Sequence, residues 1–73
     1  MLIMLAEADY RFGSGPLRLR VSSIEWSTPM RYDGDDWYTV HGIHVGHDGK
    51  DRGHRVVLVR AKRLPGAPVA PSR

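Results

Sequence analysis

WYTVHGIHVGHDGKDRGHRVVLVRAKRL, residues 37–64, is the stretch whose reading decides the fold. Two runs rich in Val, Ile, Tyr and Trp flank a polar tip, GHDGKDRG at 46–53, whose Asp-Gly chemistry is that of a β-hairpin turn. The pattern predicts one long antiparallel hairpin with strands at 37–45 and 54–64. Within its second strand, Val56, Val57, Leu58 and Val59 are apolar on both faces, which predicts a strand covered on both sides or placed centrally. The run then turns basic at Arg60, Lys62 and Arg63, and Pro65 ends it.

Upstream, residues 27–36 (STPMRYDGDD) read as a loop, because Pro29 cannot donate to a ladder and Asp33, Gly34, Asp35 and Asp36 favour turns. The three carboxylates resemble half of a calcium loop, but the rest of that pattern is missing and they read as solvated turn acids. Residues 17–26 begin with clean alternation, Leu17, Leu19 and Val21 on one face against Arg18, Arg20 and Ser22 on the other. Ile24 and Trp26 then fall on the opposite parity, so a bulge is expected near Ser22 and Ser23, as at the corner of a small barrel.

Residues 1–12 (MLIMLAEADYRF) are read as a strand, with Tyr10 and Phe12 facing Leu17 and Leu19 across a turn at Gly13, Ser14, Gly15 and Pro16. A short helix covering one end of the barrel is the alternative. Residues 1–64 thus form one small domain, and 65–73 (PGAPVAPSR) a Pro-rich flexible tail with two overlapping P-x-x-P spacings. The expected architecture is all-β, a small, strongly bent antiparallel sheet or barrel of four to five strands. Its general layout resembles the SH3-like barrels, without a family motif.

Composition narrows the partners. A chain of 73 residues buries only about 60% of its unfolded surface, so the core is thin. Without cysteine it has neither disulfides nor thiolate metal sites, which fits a reducing compartment. The formal charge of +3 and pI near 9.8 favour anionic partners. No apolar run approaches the roughly 20 residues of a membrane span, and the apolar start at 1–6 lacks the basic leader of a secretory signal, so the chain reads as a soluble cytoplasmic protein.

Nothing in the sequence is a catalytic signature. Ser14, Ser22, Ser23 and Ser27 occur outside any nucleophile elbow, and Gly13-Ser14-Gly15 precedes a strand where a phosphate cradle would open a helix. Neither an enzyme nor a cofactor is expected. His41, His44 and His47 are spaced three apart, so on a strand His44 faces away from the other two. No metal site is expected; the nearest approach to one is His47 and His54 with Asp48 around the hairpin tip.

The remaining clue is arginine, nine against two lysines. If the strands carrying Arg18 and Arg20 and those carrying Arg60 and Lys62 lie side by side, they present a basic stripe suited to phosphates. The leading expectation is therefore a small nucleic-acid-binding module, with Arg18, Arg20, Arg55, Arg60 and Lys62 on phosphates and Trp37 or Tyr38 stacking on bases. Its rival is a protein-interaction or regulatory subunit, homodimeric or a phage-type inhibitor, that binds through the hairpin edge or the 27–36 loop.

Overall fold

A computed structural model of the chain describes residues 1–11 and 13–66. Four antiparallel strands, β1 (Leu2–Leu5), β2 (Leu17–Tyr32), β3 (Asp35–Val45) and β4 (Asp51–Arg60), lie in the order β1-β2-β3-β4. Single 3-10 turns at Glu7–Asp9 and Ala61–Arg63 complete the described elements. The sheet curls strongly into a half-barrel, so the chain is all-β as its patterning predicts.

The 37–64 hairpin forms from Trp37 opposite Arg60 to Val45 opposite Asp51. Its tip is tighter than the polar run implies. Gly46 N–H bonds to Lys50 O at 2.8 Å and Gly49 N–H to Gly46 O at 2.9 Å, so pairing resumes at Asp51, before His54. Asp51, Arg52 and Gly53 are exposed, which hides this extension from a hydrophobicity pattern.

Residues 27–36 are not a loop. β2 runs on to Tyr32, which pairs with Asp35 around a two-residue turn. Asp33 and Gly34 both take positive φ, 56° and 78°, the backbone of a type I′ hairpin turn. Pro29 is tolerated because it lies where the register shifts between Glu25 and Met30, and so removes no bond from the ladder. The Trp26 ring beside this irregularity turns inward onto Tyr38, with centroids 4.9 Å apart.

The expected bulge is present: the β2–β3 register shifts between Val21 and Ser23. It lets Leu17, Leu19, Ile24 and Trp26 all reach the concave side despite their change of parity. There they meet Ile3, Leu5, Tyr38, Val40, Val57, Val59 and Leu64.

The N-terminal strand pairs through Leu2 to Leu5 with Arg20 to Leu17. Tyr10 does not face Leu17 and Leu19 across a hairpin; it crosses the open side of the curl and bridges Val59, while Arg11 N–H bonds to Leu58 O at 2.9 Å. A long connection can reach across the open side of a curled sheet, which gives Tyr10 a partner on β4 in place of β2. Tyr10 is buried, and its hydroxyl donates to Gly15 O at 2.8 Å, fixing the connection from inside. Phe12 and residues 67–73, with most of the Pro-rich stretch, lie outside the described residues.

β4 is neither covered on both sides nor central: it is the outer strand of the sheet, next to β3 alone. Val57 and Val59 are buried in the concave core, but Val56 on the convex face remains 48% exposed. No described layer of the fold packs on that face.

Asp9 joins the two ends of the domain. Its carboxylate accepts from Ala6 N–H at 3.0 Å and pairs with Arg63 Nε at 3.1 Å, tying the end of β1 to the turn after β4. Burial alone would push this carboxyl up, but the Ala6 bond and the Arg63 guanidinium outweigh it and hold the pKa below the usual aspartate value. A depressed carboxylate pKa contributes stability above the unfolded value of about 3.9, and that contribution is lost as pH falls through the folded pKa. Asp9→Asn is therefore expected to cost about 1–2 kcal/mol at neutral pH. In urea melts, the gap between wild type and variant should close on acidification below about pH 3.9; a gap independent of pH contradicts this role.

Candidate functional site

β3 lies between β2 and β4, so the basic residues of those strands do not form one stripe. Arg18 and Arg20 both point outward from β2, where they face Met4 and Leu2 of β1. Arg20 is paired with Asp51 at 2.7 Å. The Arg18 Nε is enclosed without a hydrogen-bond partner. Arg60 is level with Trp37 and Arg20 with Ile43. Six strand residues, roughly 20 Å, separate these two rows.

Arg60 is also committed within the fold. Its side chain is only 16% exposed, pairs with Asp35, covers the Trp37 ring at 4.5 Å and donates to Ala8 O at 3.2 Å. Arg55 shares the parity of Val57 and Val59, points to the concave side, and lies 5.8 Å from the Tyr10 ring. Lys62 is exposed on the turn after β4. Of the five basic residues, the fold brings together Arg18 and Arg20 and disperses the rest.

The two aromatics expected to stack on bases are both buried, Trp37 at 2% and Tyr38 at 4% exposure. Tyr38 belongs to the concave core. Trp37 faces outward but is sealed by Arg60 and Tyr32, whose backbone oxygen accepts its indole N–H at 2.8 Å. Tyr32 itself is half-exposed, and the Arg11 guanidinium sits 3.6 Å from its ring centre. Neither Trp37 nor Tyr38 offers an open face to a base.

The histidines also separate. His47 lies in the hairpin turn, while Asp48 is occupied by Lys50 N–H at 3.1 Å and by Arg52 at 2.9 Å. His54 instead approaches His41, with ring centroids 5.9 Å apart, and His41 Nε2 lies 2.6 Å from Glu25 Oε2. This Glu25, His41 and His54 grouping on the convex face was missed by sequence reasoning. It depends on the register of three strands, which spacing along the chain does not contain. Among the described residues no group of three or more His, Asp or Glu is placed to hold a metal ion.

Among the exposed side chains are several large apolar ones. Met4 is 72% and Leu2 48% exposed, and both point outward from β1 beside Arg18 and Arg20. Across Arg18 and Arg20 on the same convex face, Val56 is exposed and Ile43 and Leu58 are half-buried. The two outer edges of the sheet differ. The β4 edge carries Asp51, Arg52, His54 and Arg55, with Gly53 at a φ of 110°, charges and irregularity of the kind that discourage strand addition. The β1 edge, Leu-Ile-Met-Leu, has neither charge nor proline.

The described residues enclose no pocket. No described helix is long and apolar enough to cross a membrane. Compared with protein-family models, curated proteins and solved structures, the chain matches none of them.

Proposed function

We propose that this chain is a non-enzymatic protein-interaction module that works through β1, its free edge and the apolar residues beside it. The observation that carries this reading is the exposure of Leu2 and Met4 on a short edge strand that carries neither charge nor proline. Such an edge captures extended polypeptide by main-chain hydrogen bonding, with side chains on alternate positions adding selectivity.

Nucleic-acid binding is the second reading, and Arg18 and Arg20, adjacent on the convex face, favour it. One pair of titrations separates the two. Fluorescence anisotropy with labelled oligonucleotides, and with a panel of uncharged β-forming peptides, is run at about 50 and about 300 mM salt. The interaction reading expects peptide binding that survives the higher salt and is lost in Met4→Lys. Oligonucleotide binding that collapses with salt and with Arg18→Glu, without peptide capture, would reverse the ranking.

A further inference from the structure

Resting on the interaction reading, the geometry points to a second copy of this chain as the strand that β1 captures. We propose a symmetric dimer in which β1 pairs antiparallel with its counterpart, with Leu2 opposite Met4 and Ile3 opposite Ile3 of the other copy.

The register follows from the backbone. Val21 N–H donates to Met1 O at 2.7 Å, so Met1 and Val21 form a hydrogen-bonded pair. In an antiparallel ladder such pairs alternate with non-bonded ones. Ile3 opposite Leu19 and Leu5 opposite Leu17 are therefore bonded pairs, while Leu2 opposite Arg20 and Met4 opposite Arg18 are not. The N–H and C=O of Leu2 and Met4 consequently point away from β2, and no described backbone group bonds to them. These two residues supply the same donors and acceptors two positions apart. Placing Leu2 against Met4 of a second copy satisfies all of them at once, with two bonds per pair and two pairs related by a two-fold axis through Ile3.

Side chains and charge agree with that arrangement. Leu2 and Met4 of both copies come together on the convex face, covering Met4, the most exposed of the described large apolar side chains. Ile3, in the concave core, meets its counterpart along the continued sheet. The edge itself is uncharged. Arg18 and Arg20 of the two copies lie three strand spacings apart, roughly 14 Å, beyond the screening length of about 8 Å at physiological salt. The net charge of +3 on each chain is thus weakly felt at this contact. A four-residue strand buries less than the roughly 800 Å² per partner of a standard interface, so the dimer is a weak one.

The test is sedimentation of the full chain from about 10 μM to about 1 mM, with dissociation constants in that interval expected. The mass should rise from one chain toward two, and Met4→Lys, at an exposed position, should weaken association at least tenfold while leaving the circular dichroism unchanged. The chain contains no cysteine, so Ile3→Cys reads the register directly. On oxidation it should form a disulfide-linked dimer, because Cα atoms of a non-bonded antiparallel pair lie about 4.5 Å apart. Leu2→Cys should not, since its own counterpart falls about 8 Å away, beyond disulfide reach. A single-chain mass at every concentration, or a dimer indifferent to Met4→Lys, overturns the proposal. If self-association is absent while uncharged peptides still bind in a Met4-dependent way, the dimer falls and the interaction reading stands; loss of both removes both.

Discussion

Replacing Gly42 with Ala is expected to lower stability by about 2–3 kcal/mol, through overpacking at a point where backbone meets backbone. A Cβ at Gly42 would lie 2.4 Å from the Arg20 carbonyl oxygen and 3.0 Å from Leu19 Cγ. The first of these neighbours cannot swing aside like the end of a flexible side chain. Gly42 is opposite Val21, next to the register shift between Val21 and Ser23. To accept a methyl group the strands must part there, and the ladder on both sides of the bulge must shift with them. In a domain of 60–100 residues, 1 kcal/mol moves the melting temperature by roughly 4–8 °C, so the expected drop is about 10–20 °C. Gly34→Ala provides the contrast: nothing lies within 4 Å of its added Cβ, and only the positive φ of 78° opposes it. That cost is expected to be about 1 kcal/mol. Thermal melts that place Gly42→Ala no lower than Gly34→Ala would show that the close approach does not shape the sheet.

The same bulge shows how far the sequence could be read. The change of parity between Val21 and Ile24 announces a corner, because side chains on one strand must alternate and these do not. The hairpin at 37–64 is equally legible, since both of its strands carry their own apolar alternation around turn residues. Residues 27–36 misled for a physical reason: the outer part of β2 is almost wholly exposed, so it has no apolar face to announce it, and its ladder is set by the Asp33–Gly34 turn. The site was less legible still. Arg55 and Arg60 differ by five positions and so face opposite sides, and whether Arg20 stands near Arg60 depends on which strand lies between them. Strand order is a property of the whole sheet, and no local spacing encodes it. The β1 edge was no more legible, because only the strand order places this strand on the outside of the sheet. Leu2, Ile3, Met4 and Leu5 are apolar at every position, a pattern that on an edge strand leaves half of them facing outward.

Trp37→Ala is expected to cost about 3–5 kcal/mol, close to the whole stability of a domain this size. Two separate losses combine. The indole is 2% exposed although it faces the convex side, so its removal opens a cavity that the rigid strand backbone closes poorly. It is also the floor beneath Arg60, whose guanidinium lies 4.5 Å above it while pairing with Asp35 and donating to Ala8 O. Without the ring, Arg60 loses its packing surface and its attraction to the aromatic face, and the strap from β4 to the connection after β1 loosens. Arg60→Lys separates the two contributions, because an ammonium retains the charge while giving up the planar fork that reaches Asp35 and Ala8 together. That change is expected to cost about 1–2 kcal/mol. Urea unfolding of both variants, followed by far-ultraviolet circular dichroism so that the signal does not depend on the missing indole, provides the check. If Trp37→Ala and Arg60→Lys destabilise equally, Trp37 contributes only as a support for Arg60. The larger loss expected for Trp37→Ala identifies its own burial as the dominant part.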